Sequence, residues 1–252
     1  NDHLMFASMF GRTDNVKFWL TRYPDWDLER KNKVAGGVAL GLAVYMGPHR
    51  LELVKILLKH GACLDYRTDT GTSILINLCE NEDADPDLLE LLLRTKMKTN
   101  VNYRRRGRTA KWRMIYRLAR LLTRNNFTIS GLMTALAGKS SMECTRHVAR
   151  DVLKTLKWKA LHFISKTLNR MGFSKSGLLH TISLWPGTTA LNLAVMRGDV
   201  EIVKILLEYG ANPYVENDLG INSFDTCENS GPFPSVRNAL NKHDDANSSI
   251  GR

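Results

Sequence analysis

Three short stretches of the 252-residue chain carry residue types whose spacing could do chemistry. "LAGKSS", Leu136 to Ser141, has the Gly-Lys-Ser ending of a phosphate-cradling loop, in which backbone N–H groups and a lysine hold a nucleotide's phosphates. That signature needs a glycine five positions before Gly138. Met133 stands there and no strand precedes it, so a nucleotide site is rejected. "HVARD", His147 to Asp151, places His, Arg and Asp in a kinase-like order, but no glycine-rich loop or Asp-Phe-Gly stretch accompanies it. "ENEDADPD", Glu80 to Asp87, bunches carboxylates as a calcium loop would, yet lacks the glycine and distal glutamate of an EF-hand. Asp85 followed by Pro86 instead predicts an acidic helix start with proline in its first turn. His60, just ahead of Gly61, reads as a charge partner for a helix C-terminus rather than a ligand. With no G-x-S-x-G or H-E-x-x-H stretch either, the chain is read as non-enzymatic, with no cofactor and no metal.

Charge supplies a different kind of chemistry. The net charge is +11, but Arg94 to Pro186 holds 21 Lys/Arg against two carboxylates, Glu143 and Asp151, leaving 15 against 23 elsewhere. A region so basic favours an acidic protein, nucleic acid or anionic lipid, or pairing with acidic segments of the same chain. Within it, "KWRMIYRLARLLTRNNFTISGL" (Lys111 to Leu132) returns as "KWKALHFISKTLNRMGFSKSGL" (Lys157 to Leu178) at an offset of 46, which a tandem duplication explains. At helical spacing Trp112, Ile115, Ala119 and Leu122 share one face while Arg113, Arg117, Arg120 and Arg124 share another. Each copy reads as a helical hairpin, with Thr128 or Ser174 capping its second helix and Trp112 or Trp158 anchoring its core. Two readings of Tyr103 to Pro186 stay open. The pair of hairpins extends a helical array as stacked layers, or the arginine stripe with Arg104, Arg105 and Arg106 binds a polyanion.

The elements on either side are more regular. A 43% hydrophobic content is ample for a continuous core. In "GTTALNLAVMRGDVEIVKILLEYGANPYVENDLG", Gly187 to Gly220, Leu191, Ala194 and Val195 face inward on a short helix that Gly198 breaks. A second helix then carries Val200, Ile202, Val203, Leu206 and Leu207 at amphipathic spacing, and Gly210 follows its end, where a left-handed backbone suits glycine. Gly36 to Gly71 repeats this grammar, Leu4 to Asn32 carries it without its first residues, and Ser73 to Asn102 carries it more weakly. Ile221 to Leu240 supplies closing helices, and the polar tail from Asn241 is expected to be disordered.

Gly187 to Gly220 resembles an ankyrin repeat almost from end to end, with Asn192 where the family usually has histidine. The resemblance implies an all-α, ankyrin-type helical repeat solenoid with short β-turn fingers, interrupted by the inserted pair of helical hairpins. Residues 1–102 would be N-terminal repeats, 103–186 the basic insert, 187–240 the C-terminal repeat with capping helices, and 241–252 the tail. It also implies recognition of a partner protein through a concave face. Carried onto this chain, that face holds Met9, Phe10, Tyr45, Met46, Met196 and Arg197 at the ends of the first helices, with Asp69, Thr70, Asp218 and Leu219 at the finger tips. Four cysteines without C-x-x-C spacing suggest reduced thiols and a cytoplasmic or nuclear location. The glycine-dotted uncharged run from Val34 to Pro48 is too short for the roughly 20 residues of a transmembrane helix and reads as a buried core helix. The chain opens in mid-helix, as a fragment or processed product would.

Overall fold

The computed structural model describes residues 2–33, 35–46, 50–81, 83–95, 100–123, 186–230 and 233–250. The chain forms two compact units: Asn1–Arg113 with Pro186–Arg252, and Met114–Trp185. Among the described residues of the first unit, helices come in five pairs. They are α1 (His3–Met9) with α2 (Thr13–Arg22), α3 (Ala39–Met46) with α4 (Arg50–Lys59), and α5 (Ile74–Glu80) with α6 (Pro86–Arg94). After α7 (Ala110–Thr123), which begins in the first unit and runs on into the second, come α8 (Ala190–Arg197) with α9 (Val200–Glu208) and α10 (Ser223–Ser230) with α11 (Pro234–Ile250). No strand occurs among the described residues.

Each pair forms for reasons legible in its residues. Short polar side chains start the helices: Asp2 accepts the Met5 N–H at 2.8 Å, Ser73 that of Ile76 at 3.4 Å, Thr189 that of Asn192 at 3.2 Å, and Asp199 that of Ile202 at 3.2 Å. Asp85 accepts from both Asp87 and Leu88, with Pro86 at the first helical position as expected. Gly61 and Gly210 leave α4 and α9 at φ 91° and 84°, with open space where a side chain would stand, so backbone conformation alone selects glycine there. Leu191, Ala194, Val195, Ile202, Val203, Leu206 and Leu207 are all buried.

The pairs pack in series. First helix lies on first helix, α1 to α3 to α5 to α8 to α10, and second on second, α2 to α4 to α6 to α9 to α11. The third pair therefore packs directly on the fourth, although almost a hundred residues separate Arg94 from Ala190 in sequence. This sets aside one of the two readings left open for Tyr103 to Pro186, that its hairpins stack as layers between these pairs. The physical reason is where the chain departs. Thr68 N–H donates to Thr72 at 3.1 Å and Gly71 N–H to Thr68 at 2.9 Å, closing one finger. Asn217 and Ile221, with Gly220, close another in the same way. In the finger between them Arg105 N–H donates to the Thr188 carbonyl at 3.0 Å, and Gly187 N–H to that of Arg105 at 2.9 Å. The finger is thus closed by residues from both ends of the insertion, which enters at its turn.

Tyr103 to Arg106, read from sequence as part of the insert, belong to the repeat unit, as does Pro186. The tail is also corrected: α11 continues as helix to Ile250 instead of becoming disordered at Asn241. Val236 and Leu240 bury its first turns, and farther along Asp244 stands close enough to Tyr214 to raise the pKa of its hydroxyl. α7 makes the first copy of the duplication helical as far as Thr123, and Trp112 is buried. The rest of that copy, the second copy with Trp158, and the "LAGKSS" and "HVARD" stretches lie outside the described residues.

Candidate binding surface

The C-terminal ends of the first helices form a row, one position pair per repeat. Phe10 and Met46 are exposed, as the sequence leads one to expect. Met9, Tyr45, Met196 and Arg197 are half-buried. The reason is reach from one pair to the next. Arg197 donates a guanidinium N–H to the Cys79 carbonyl at 2.9 Å and lies 3.8 Å from Asp199. Asn81, at the equivalent place in the third pair, donates its amide to the Tyr45 carbonyl. Each satisfies a carbonyl that its neighbour's helix end would leave bare. Burial raises the Tyr45 hydroxyl pKa first of all, and the Glu80 carboxylate raises it further while Arg105 acts the other way. Cys79, buried one residue earlier, is pushed up to about 12 by desolvation, which Arg197 partly offsets. Its thiol stays protonated, so it is packing rather than a nucleophile.

Glu80 and Asn81 complete the row in the third pair and were missed from sequence, where that repeat is the least regular. Glu80 forms an ion pair with Arg105, whose residue is 1% exposed. The middle of the "YRRRGR" run is therefore interior, and Arg105 is corrected from an anion-binding candidate to a buried charge held by one carboxylate of the "ENEDADPD" stretch. Arg104 pairs with Asp218 at 3.0 Å. Of the remaining candidates Arg106, Arg113 and Arg117 are exposed, Arg120 lies within α7, and Arg124 lies outside the described residues.

The finger tips also divide. Thr70 is buried, its hydroxyl in a chain with Thr68 at 2.6 Å and Thr72 at 2.8 Å, so it is a strut and not a contact. Asp69 is half-buried, donating its N–H to Ala35 at 2.8 Å and accepting from Arg108 at 3.0 Å. Asp218 donates its N–H to Pro186 at 2.9 Å, the same finger-to-finger link, and Leu219 beside it is half-buried. Asn192, in the place of the usual histidine, donates to the Ile221 carbonyl at 3.4 Å and accepts from the Thr189 hydroxyl, so it bridges to the next finger.

The exposed side chains of the row thus lie in its first two pairs and are apolar, whereas its members in the third and fourth pairs are half-buried. Phe10 stacks on the exposed Phe6 with ring centroids 6.5 Å apart. Among the described residues no three His, Cys, Asp or Glu side chains gather as a metal site, and no helix is long and apolar enough to cross a membrane. Residues 187–218 match the family model described as Ankyrin repeat. The chain carries an ankyrin repeat there. No curated protein matches it.

Proposed function

We propose that the chain is a non-enzymatic protein-recognition scaffold, an ankyrin-type solenoid that binds a partner protein through the row at the first-helix C-termini. The observation that carries this reading is the pair Phe10 and Met46. Both are large, apolar and exposed in a row where Arg197 and Asn81 are tied into the preceding repeats. Aromatic and methionine side chains supply much contact area on adaptable recognition surfaces. An ankyrin repeat suggests a protein-interaction module, and free thiols at Cys63, Cys79 and Cys227 accord with the proposed cytoplasmic or nuclear setting.

A second reading rests on the exposed Arg113 and Arg117 of α7 and on the 12 Lys/Arg against two carboxylates in Met114 to Trp185: this segment binds a polyanion, nucleic acid or an anionic membrane. Two double variants separate the readings. Phe10→Ser with Met46→Ser should abolish capture of a purified cross-linked partner at both low and physiological salt. Arg113→Glu with Arg117→Glu should leave that capture intact. Tight, steeply salt-dependent binding to duplex nucleic acid or acidic vesicles, lost only in the arginine variant, would reverse the preference.

A further inference from the structure

The cations on the fingers fall into two groups. Arg67 pairs with Asp65 at 2.7 Å, Arg104 with Asp218 at 3.0 Å, and Arg105 with Glu80 in the interior. Lys31 donates to the Arg67 carbonyl at 3.2 Å, and the Arg67 guanidinium lies over the Tyr103 ring, 4.3 Å from its centre. Contacts of this kind tie one finger to the next. Lys33, Arg106 and Arg108 make none. All three are exposed, and among the described residues none of their side chains meets a carboxylate, a carbonyl or an aromatic ring.

Backbone hydrogen bonds set these three residues on neighbouring tips. Asn32 N–H donates to the Gly37 carbonyl at 2.8 Å and Gly36 N–H to that of Asn32 at 3.1 Å, which closes the first finger around Lys33. At the second tip Asp69 N–H donates to the Ala35 carbonyl at 2.8 Å, and beside the third Arg108 N–H donates to that of Asp69 at 3.0 Å. Each tip is thus one hydrogen bond from the next. Asp69 carries the carboxylate among them, and it is turned back on the first finger: a Cβ added at Gly36 would stand 2.5 Å from its Oδ1. It pairs with none of the three cations. Like charges gathered without counter-charges repel one another, and an anion laid along them relieves that repulsion.

We infer that the tips of the first three fingers form a docking edge for an acidic, extended segment of the partner protein, with Asp or Glu carboxylates set against Lys33, Arg106 and Arg108. The inference rests on the scaffold reading for the existence of a protein partner, and it adds a charged contact at the tips to the apolar one at Phe10 and Met46. Charge complementarity selects the occupant. A peptide can space its carboxylates to pass Asp69, whereas a continuous run of phosphates would meet Asp69 within the row and the exposed Glu216 on the next finger. Three free cations also supply few of the contacts that hold a nucleic-acid backbone.

The probe is a fluorescent synthetic peptide of alternating glutamate and serine, with its glutamine and lysine counterparts, and fluorescence anisotropy with the full chain reports binding. The glutamate peptide should bind and the glutamine peptide should not, with affinity falling steeply as salt rises. Lys33→Gln with Arg106→Gln and Arg108→Gln should weaken binding by about tenfold or more, since each exposed pair adds a modest share. Changing the same three residues to Glu should transfer binding to the lysine peptide, a gain that a misfolded chain cannot give. Phe10→Ser with Met46→Ser should leave the glutamate peptide bound as before, so failure at the apolar row and failure at the tips are read separately. An affinity that the neutralising triple change leaves untouched would overturn the inference. So would loss of binding only with Arg113→Glu and Arg117→Glu, which assigns the acidic ligand to α7. A single-stranded oligonucleotide held more tightly than the peptide through the same three residues would overturn it as well, because nucleic acid would then be the occupant.

Discussion

Replacing Arg105 by alanine should weaken the repeat unit more than any other arginine change in its finger. The Arg105 guanidinium is interior, its carboxylate partner Glu80 is nearly so, and the backbone of Arg105 closes the finger through which the insertion departs. Removing one member of a buried pair leaves the other charge without compensation, which costs about 3–5 kcal/mol. For a domain of marginal stability that is a large fraction of the whole. The neighbouring Arg104, paired with Asp218 where both side chains meet solvent, should cost less than about 1 kcal/mol on the same change. Urea titrations followed by tryptophan fluorescence give both numbers, and hydrogen exchange of the Arg105 and Gly187 amides reports whether the finger opens. Arg105→Met with Glu80→Leu removes both charges and should recover most of the loss, since the site is then apolar and filled. A loss below about 1 kcal/mol for Arg105→Ala, or a double variant no better than the single, would refute the buried-pair reasoning.

Three further outcomes follow from the geometry. Gly71→Ala should be far more damaging than Gly210→Ala: an added Cβ at Gly71 would stand 1.9 Å from the Arg106 carbonyl oxygen, whereas at Gly210 only the left-handed backbone opposes it, at about 1–2 kcal/mol, as paired thermal melts would show. Joining Arg106 directly to Pro186 rebuilds a four-residue turn, Arg105-Arg106-Pro186-Gly187, equivalent to Thr68-Asp69-Thr70-Gly71, and the shortened chain should melt within about 5 °C of the parent by circular dichroism. Stability should fall as pH rises from 9 towards 12, because the unfolded Cys79 thiol ionises above its ordinary 9.0 while the folded one stays protonated until about 12; Cys79→Val should flatten that slope in urea midpoints measured across the range.

Much of the repeat unit was legible because its helices are short, capped and periodic. Asp85 with Pro86, Gly198 and Gly210 each announce a helix end through local chemistry, and each stands where the residues place it. What escaped the sequence was long-range. Nothing local distinguishes Arg105 from Arg104 and Arg106; its burial depends on Glu80, 25 positions earlier, and on backbone bonds to Gly187 and Thr188. For the same reason the departure point of the insertion was hidden, since a finger closed by two backbone bonds has no residue signature. Thr70 looked like a tip and is a strut because two other threonines flank it in space as well as in sequence. The tail misled because its composition is polar, whereas the helix it continues is anchored by the buried Val236 and Leu240.

The most direct test of the proposed recognition surface is a hydrogen-exchange footprint of the full chain with its cross-linked partner protein bound. Slowed exchange should centre on the ends of α1 and α3, around Met9, Phe10, Tyr45 and Met46, with α7 unchanged. Protection confined to α7 and the basic residues beyond it, with none on the array, would contradict the scaffold account and assign binding to the insertion.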